Sequence, residues 1–320
     1  MLHAVDLVAW SGGLLLVVGL ALRLGPRDGW GSVWAIPFYA TPLGIHVAGG
    51  ALASIWASLR RQPRRALAWG LFAWVMTGWL LATHWRWEPR SSAPADLSLV
   101  YWNIARPQAD SSGRVAAALR DLGVDLLCLA EVNPLRKRRE APFVETVEPQ
   151  LPGYRRLAST AHIGLWVGAR IGSQLEIVSS RREYLKVAWG FDLDLRWRGR
   201  PLRVLVVDFD SAPSTTRTRA MGPLREWVER QTAPWLVIGD FNTPLDSVCF
   251  DAWRAEGRHA FERAGRGYMA SWPLYPAPVL AIDHAFTSGL TPLRVDLLSD
   301  LISDHRALRL ELAFSPPKAP

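Results

Sequence analysis

Long apolar stretches open the chain, and short alternating ones follow them. The long stretches cover residues 7–22, 33–59 and 66–85. A helix needs about 20 apolar residues to cross a bilayer core of about 30 Å, so the second and third stretches are long enough. Pro37 and Pro42 are expected to kink the second stretch. The pattern predicts a bundle of about three transmembrane helices within residues 1–90, and the alternative is a buried helical hairpin of a soluble protein.

Charges beside these stretches predict their orientation. The short link between the second and third stretches is crowded with arginines, namely Arg60, Arg61, Arg64 and Arg65. Short basic loops stay in the cytoplasm, so the chain after residue 90 is expected outside it. Nine of the 17 tryptophans lie before residue 88, and tryptophan is typical of membrane interfaces. The prediction is a multi-pass protein of the cell membrane, with the lipid bilayer as a partner and an extracytoplasmic domain.

A different pattern begins after a predicted linker at residues 91–95. From residue 96 to 314, short runs rich in leucine and β-branched residues alternate with a few helical segments. Predicted strands lie at residues 99–103, 125–132, 163–167, 175–179, 183–188, 191–197, 202–209, 235–238, 282–286, 294–298 and 307–312, and predicted helices at 114–122 and 215–231. Many strands with few helices predict an α/β fold of two packed mixed β-sheets flanked by helices. Residues 315–320 are expected to form a disordered tail.

The net charge of +8 belongs largely to the N-terminal region. Residues 1–95 hold eight arginines and three acidic residues, which leaves a charge of only +3 on the remainder. A nucleic-acid-binding face needs a local basic field, so the charge of the C-terminal domain supports one only weakly. The two cysteines exclude a disulfide framework and fit either a reducing compartment or an exported domain with a sufficient core.

Several predicted strands end in a residue that can bind a metal ion or a phosphate group. Asn103 ends one strand, and Glu131 lies at the end of the next. Mg²⁺ prefers oxygen ligands, so both side chains fit a magnesium site. A single glutamate at a strand end is more often simply solvated, and it is the ordered series of such strand ends that favours a function.

Two later clusters supply groups that act on water and phosphate. Asp240 and Asn242 follow an apolar strand in the sequence Gly-Asp-Phe-Asn, and they share a face if the backbone stays extended. An Asx turn is the structural alternative there. Asp304 and His305 form the other cluster, in which the imidazole has a pKa near neutrality and the carboxylate fixes its orientation.

Five motifs occur in one order along the domain: Trp102-Asn103-Ile104, Leu129-Ala130-Glu131-Val132, Gly239-Asp240-Phe241-Asn242, Ile282-Asp283-His284 and Ser303-Asp304-His305. In these motifs the chain resembles the endonuclease/exonuclease/phosphatase superfamily, which shares the fold of deoxyribonuclease I, exonuclease III-type nucleases, inositol-phosphate 5-phosphatases and neutral sphingomyelinases. The resemblance implies a four-layer α/β sandwich. It also implies Mg²⁺-dependent hydrolysis of a phosphoester, with Mn²⁺ as an alternative ion.

The same resemblance implies roles for individual residues. The implied catalytic residues are His305, Asp304, Asp240, Asn242 and Asp283, and the implied metal ligands are Glu131, Asn103 and Asp304. In this scheme Asp240 and Asn242 position the nucleophile and the phosphate. His305 is the general base, paired to Asp304.

One position departs from the family pattern. The family usually carries a histidine near the end of the strand that precedes the arginine-containing loop, and Asp210 stands there in this chain. A carboxylate at that position repels phosphate unless it is protonated or binds a metal ion. The resemblance and the loop chemistry make Asp210 a candidate catalytic residue and Arg217, Arg219 and Trp272 candidate substrate-binding residues.

The sequence thus predicts a membrane-anchored, metal-dependent phosphoester hydrolase that acts outside the cytoplasm. Its substrate is expected to be a phosphodiester, either in nucleic acid or in a phospholipid headgroup. The alternative is a non-enzymatic binding or signalling module that kept the fold, and only Asp210 motivates it.

Overall fold

The computed structural model describes residues 2–87, 91–106, 112–133, 143–160, 164–212, 215, 217–273, 276–299 and 302–316. The N-terminal region is helical, with α1 at Leu2–Leu24, α2 at Ser32–Ala40, α3 at Leu43–Leu59 and α4 at Pro63–His84. A short strand, β1 (Trp85–Trp87), continues directly from α4. The predicted tail at 315–320 lies mostly outside the described residues.

The second apolar stretch is broken rather than continuous. α2 and α3 are bent by 56° at the break between residues 40 and 43, next to Pro42. By length and composition, α4 alone can cross a membrane, and the bent pair is a second candidate only if it counts as one span. Such helices are weak evidence for a membrane protein. Among the described residues, the three-helix transmembrane bundle is therefore reduced to one or two candidate spans.

Two mixed β-sheets form the rest of the chain. The first sheet contains β6 (Leu175–Tyr184), β7 (Ala188–Trp197), β8 (Arg200–Phe209), β9 (Trp235–Asp240) and β11 (Asp283–Ser288), in the order β11-β9-β8-β7-β6. The second contains β2 (Leu97–Asn103), β3 (Leu126–Ala130), β4 (Tyr154–Ser159), β5 (Trp166–Arg170), β12 (Leu290–Leu298) and β13 (Ala307–Phe314), in the order β12-β13-β2-β3-β5-β4. Only the pairs β2–β3 and β8–β9 are parallel.

Helices flank the sheets, as the sequence predicts. They are α5 (Ser112–Asp121), α6 (Phe143–Thr146), α7 (Thr218–Glu229), α8 (Asp251–Ala255) and α9 (Ala260–Ala264), with β10 (Arg266–Tyr268) pairing with β1. Successive side chains of β2 point to opposite faces of its sheet, one towards the other sheet and one towards a helix. Leu99 and Tyr101 belong to the core between the sheets, whereas Val100 and Trp102 pack with residues of α5. The predicted α/β sandwich of two mixed sheets is confirmed.

Edge strands account for the main differences from the predicted strands. The strand predicted at 175–179 continues to residue 184 as β6, whose second half is charged and exposed. The strand predicted at 183–188 is wrong for the most part, because residues 185–187 form the turn into β7. β4 was not predicted, because Arg155 and Arg156 interrupt its apolar pattern. β4 and β6 both lie at sheet edges, where charged side chains face water and prevent edge-to-edge pairing.

The close pairing of the central strands β8 and β9 explains why residue 239 is a glycine. A Cβ atom at this position lies 1.9 Å from the backbone oxygen of Val207 on the neighbouring β8. Any side chain there pushes β8 and β9 apart. The glycine thus permits the close strand pairing that places Asp240, the next residue, at the end of β9.

Candidate active site

The candidate site lies where the two parallel strand pairs end. β2 ends at Asn103, which is in register with the last residue of β3, and Glu131 follows directly. In the other sheet, Asp240 is in register with Asp208 on one side and Asp283 on the other. Parallel strands end at the same edge, and β11 begins where β9 ends, so these carboxylates gather at one edge of their sheet. A hydrogen bond of 3.1 Å from the Asn103 amide to Asp240 joins the two sheets there.

Asp240 is the centre of the site. Its Oδ1 accepts the backbone N–H of Asn242 at 2.8 Å, its Oδ2 accepts the amide of Asn103, and the same Oδ2 lies 3.9 Å from His305 Nε2. Burial, and then the charge of Asp283, raise the pKa of Asp240 to about 7, although His305 and the two hydrogen bonds act in the opposite direction. Near neutral pH this carboxylate can therefore exchange a proton.

His305 forms a buried pair with Asp283. Its Nδ1 lies 2.9 Å from Asp283 Oδ2, which leaves Nε2 directed towards Asp240. Burial lowers the pKa of His305, but the charge and hydrogen bond of Asp283, with the charges of Asp240 and Asp304, outweigh it and raise the pKa to about 10. Trp102 Nε1 donates to the backbone oxygen of His305 at 3.0 Å, which fixes the segment.

The predicted pairing of His305 with Asp304 is wrong. Asp304 is exposed, and its Oδ2 accepts the indole N–H of Trp272 at 2.9 Å. The two residues precede β13 in an irregular segment in which His305 turns into the core and Asp304 turns out to the rim of the cleft. Asp283, which local sequence does not place beside His305, reaches it through the pairing of β11 with β9.

Glu131 stands apart from the Asp240 group. It has a positive φ of 52°, and its Oε2 forms an ion pair of 2.7 Å with Arg106 Nη1. Asn103, its predicted partner at the metal, uses its amide nitrogen on Asp240 and accepts the backbone N–H of Ala105 at Oδ1. The structure thus assigns Asn103 to positioning Asp240, while Glu131 keeps its carboxylate at the cleft.

The donor set fits a divalent cation. Asp240, Asp283 and His305 each offer a ligand atom within 4.8 Å of the others, and all three are buried. Among the described residues, Oδ1 of Asp283 finds no hydrogen-bond partner. A buried carboxylate oxygen without a donor costs free energy, which a bound cation offsets. Carboxylate oxygens are the ligands of Mg²⁺ and Mn²⁺, and the residues present do not distinguish the two ions.

A cleft of about 570 Å³ opens over these groups. Asp240, His305, Glu131 and Asp304 line it together with residues that sequence reasoning did not connect with the site. These come from the end of α2 and from the loops around it, namely Ile36, Tyr39, Ala40, Pro244, Leu280 and Ile282. The volume accommodates a small molecule or the end of a larger one.

The sequence of residues 100–305, more than half of the chain, matches the Endonuclease/Exonuclease/phosphatase family. The chain belongs to this family. The family consists of phosphoester hydrolases that typically depend on a divalent metal ion, in keeping with the buried carboxylates and histidine described above. No curated protein sequence gives a significant match to the chain.

Solved structures share the fold at low sequence identity. An endonuclease/exonuclease/phosphatase from Bacteroides vulgatus superposes with a TM-score of 0.58 at 15% identity, covering 68% of this chain and 99% of its own. The mannosyl-6-phosphatase of Bacteroides thetaiotaomicron gives 0.55 at 16%, covering 68% and 100%. TDP2 of D. rerio, solved with a single-strand DNA product, gives 0.54 at 14%, covering 68% and 98%. At these identities the likeness shows the fold alone.

Asp208 is a further carboxylate of the site that sequence reasoning missed. Burial, followed by the charges of Asp240 and Glu131, raises the pKa of Asp208 well above the ordinary carboxyl value, while Arg106 acts in the opposite direction. The signal in the sequence is an acidic residue at the end of an otherwise apolar strand. Its importance depends on its register with Asp240 across the parallel pair β8–β9.

Asp210, which stands where family members usually carry histidine, does not line the cleft. The side chain is exposed, and it accepts the backbone N–H of Ala212 at 2.9 Å and the hydroxyl of Thr215 at 3.1 Å. The carboxylate therefore stabilises its own turn after β8. The structure thus places Asp210 outside the cleft, where the predicted catalytic role has no contact to support it.

Of the three predicted substrate-binding residues, two line the cleft and one does not. Arg217 lines the cleft, but it is buried and donates to the backbone oxygens of Ala212, Thr215 and Asn242. Burial lowers the pKa of Arg217. Arg219 is exposed and does not line the cleft, whereas Trp272 lies at its rim beside Asp304.

Asn242 has a left-handed backbone conformation next to Asp240. Its φ is 46°, which asparagine adopts more readily than most residues other than glycine, and its Nδ2 donates to the backbone oxygen of Phe209 at 2.8 Å. With Arg217 on its own backbone oxygen, the residue is fixed from two sides. It lines the cleft as predicted, and its amide nitrogen is already engaged by the fold.

Proposed function

We propose that this protein is a membrane-anchored, divalent-metal-dependent phosphoester hydrolase that acts on phosphodiesters outside the cytoplasm. The observation that carries the proposal is the buried group of Asp240, Asp283 and His305, of which Asp240 and His305 line the cleft. A protonatable carboxylate and a charged imidazole 3.9 Å apart can serve the two sides of a hydrolytic displacement. Family membership supports the reaction class, and the finer assignment rests on this geometry.

The pKa values suggest which group holds which proton. Because its pKa is about 10, His305 keeps its proton at neutral pH and presents Nε2–H to the cleft, where it can donate to a phosphate oxygen. Asp240 lies 3.9 Å from His305 Nε2 and is placed to accept the proton of the attacking water; its pKa of about 7 applies without a cation, and a bound cation would lower it. This reverses the sequence-based assignment, in which His305 is the general base.

Asp240 and Asp283, two of the three buried donor groups, would hold the metal ion. Glu131 lies at the cleft as a further candidate ligand, and Asp208 adds a carboxylate beside Asp240. These carboxylates would be neutralised by a bound divalent cation, which would supply Lewis-acid polarisation of the phosphoryl group. Arg106 pairs with Glu131 and limits the excess negative charge at the mouth of the cleft. Asn103 and Asn242 hold Asp240 in place through both of its carboxylate oxygens.

Exposed apolar side chains support a membrane location. Among the described residues, all but four of the large apolar side chains that are exposed lie before residue 88, and the four exceptions are Ile171, Val178, Tyr184 and Trp189. Exposed apolar surface on this scale is unfavourable in water and typical of a surface covered by lipid. The N-terminal helices are therefore proposed to anchor the protein in a bilayer.

The contacts of the helices agree with an extracytoplasmic catalytic domain. α4 ends beside that domain, since His84 accepts the backbone N–H of Met269 at 2.9 Å. The arginine-rich turn at 60–65 lies at the other end of α4, about 33 Å away at 1.5 Å per residue. Arg23 and Arg27, which count against this orientation by charge alone, are paired with Asp246 and Asp251 of the domain. A basic turn on the far side favours the orientation proposed.

The observation that suggested a non-enzymatic module does not support it in the structure. It rested on a carboxylate at the histidine position of the family, and Asp210 is engaged in its own turn outside the cleft. Asp240, Asp283 and His305 lie together in one buried group, which supports the hydrolytic function instead.

Hydrolysis of bis(4-nitrophenyl) phosphate by the full chain tests the proposal. We expect turnover with Mg²⁺ or Mn²⁺ and none in excess chelator. His305→Ala and Asp240→Ala should each reduce turnover by about 10² or more, the scale of a lost catalytic proton donor or acceptor. Asp210→Ala is the matched control, because it removes an exposed carboxylate just outside the cleft. Near-normal turnover in the first two variants would contradict the assignment.

A further inference from the structure

The N-terminal region forms one wall of the cleft. Ile36, Tyr39 and Ala40, all in α2, line the same cavity as Asp240 and His305, about 200 residues later in the chain. The helices are therefore more than a tether, because part of the substrate-binding surface belongs to them. Ile36 is 43% exposed, so its side chain is available for contact.

A buried arginine fixes this wall to the catalytic domain. The side chain of Arg23 is only 3% exposed, and its guanidinium donates to the backbone oxygens of Phe38 at 2.8 Å and Thr41 at 3.0 Å. It also forms an ion pair with Asp246, in the loop that follows β9 and Asn242. One side chain thus connects the end of α2 to the segment that carries the catalytic motif.

Asp28 makes a second connection between the same segments. Its carboxylate accepts the hydroxyl of Tyr39 at 2.9 Å, the hydroxyl of Ser247 at 2.6 Å and the backbone N–H of Val248 at 3.0 Å. Tyr39 is thereby held against the cleft by a contact with the catalytic domain. The wall is a built part of the site, with two polar connections that are independent of each other.

The chemistry of the cleft is unlike a path for nucleic acid. A polynucleotide needs cations for the phosphates on each side of the scissile one. Among the described residues that line the cleft, the cations other than His305 are Arg106 and Arg217. Arg106 is paired with Glu131, and Arg217 is engaged by three backbone oxygens. Beyond the catalytic groups, the wall offers apolar surface instead.

We propose that the substrate is an amphiphilic phosphodiester, whose phosphate occupies the Asp240–His305 site while its hydrocarbon portion lies against α2. This proposal rests on the proposed hydrolase function and names its substrate class. Val33 and Trp34, also in α2, are exposed as well, and so are apolar side chains of α1 and α3. A molecule held in a bilayer by its hydrocarbon chain can then reach the cleft without leaving the lipid.

The test varies the length of the hydrocarbon chain on the substrate and keeps the leaving group the same. The full chain, in mixed micelles with detergent in excess, is given the methyl, octyl and hexadecyl esters of 4-nitrophenyl phosphate with Mg²⁺ or Mn²⁺. Each methylene removed from water strengthens binding by about fourfold. Contact of two methylenes with the wall therefore makes kcat/KM for the hexadecyl ester at least about tenfold higher than for the methyl ester.

The wall is tested by variants of Ile36. Ile36→Glu places a charge on the apolar wall, so the hexadecyl-to-methyl ratio of kcat/KM is expected to fall at least about fivefold, while Ile36→Leu preserves the ratio. Ile171→Glu is the matched control, because Ile171 is an isoleucine that is also exposed, at 59%, in the turn after β5, at the end of that strand away from the site. Melting curves of the variants exclude a general loss of folding.

The outcomes separate the two proposals. Equal kcat/KM for all three esters, or a ratio that Ile36→Glu leaves unchanged, overturns the inference and leaves the hydrolase function standing. Faster cleavage of a single-stranded oligonucleotide than of the hexadecyl ester also overturns it, in favour of a nuclease. If no ester and no oligonucleotide is cleaved with either ion, the hydrolase function itself fails, and the inference fails with it.

Discussion

The pairing of His305 with Asp283 leads to a prediction that separates two neighbouring carboxylates. Asp283→Asn keeps the size and one acceptor of the side chain but removes the buried charge beside Nδ1, 2.9 Å away. Asp304→Asn makes the same chemical change at an exposed residue whose bond is to Trp272. If Asp283 is the partner, the first change is severe and the second is mild.

The magnitude follows from the pKa of His305. Burial acts to lower that pKa, and Asp283 is the largest of the charges that raise it to about 10. Without Asp283 the imidazole should lose its proton near or below its ordinary pKa of about 6.5, which corresponds to several pKa units at 1.36 kcal/mol each. At neutral pH the variant therefore lacks a cationic donor. Loss of such a donor at the transition state costs about 10²–10³ in kcat.

The assay is kcat for bis(4-nitrophenyl) phosphate at saturating metal ion, measured from about pH 6 to 10, the span between the ordinary and the raised pKa of His305. A protonated imidazole acts below its pKa, so activity should fall as pH rises through that value. In Asp283→Asn this basic limb should move to lower pH, whereas Asp304→Asn should stay within about tenfold of the parent with the limb unmoved. A larger loss in Asp304→Asn, or an unmoved limb in Asp283→Asn, would refute the reasoning.

Three further predictions concern the surroundings of the site. Because the raised pKa of Asp208 makes folding less favourable as pH rises above the ordinary carboxyl value, Asp208→Asn should raise the melting temperature in chelator by a few degrees, about 1 kcal/mol, and more at pH 8 than at pH 5. A gain that is equal at both pH values would contradict the burial of an ionised carboxylate. Arg23→Met should lower the free energy of unfolding by about 3 kcal/mol, the low end for a buried ion pair because Asp246 is 26% exposed. Adding Asp246→Leu should recover part of that loss. Strictly additive losses in denaturation experiments would argue against the pair. A reporter that is active only outside the cytoplasm should be active when fused after Phe314, and activity of a cytoplasm-only reporter there would invert the orientation.

Local patterns identified most of the chemistry because it lies at the ends of apolar strands. Asn103, Glu131 and Asp240 each follow a run of buried residues, so their strands could be recognised from hydrophobicity alone. Their convergence follows from two parallel strand pairs that end at one edge. The residue types then restrict the chemistry to metal ions and phosphate.

The partner of His305 could not be predicted in the same way. Asp304 is adjacent in sequence, whereas Asp283 is 22 residues away and reaches the imidazole only through the register of β11 on β9. Asp208 was overlooked for a similar reason, since its meaning depends on the strand beside it. The position of α2 over the cleft depends on Arg23 and its contacts with residues more than 200 positions later, which no local pattern contains.

Several unfavourable features lie at this edge of the sandwich. Glu131 and Asn242 both have positive φ angles, and an oxygen of Asp283 is buried without a donor. Such positions cost roughly 1–3 kcal/mol each, and they persist only where the surrounding structure holds them. Here the two sheets, Arg217 and the turn before β13 supply that support. An edge that is strained and rich in carboxylates is suited to bind a cation, since a cation relieves the repulsion between the carboxylates and offers positive charge to a phosphate group.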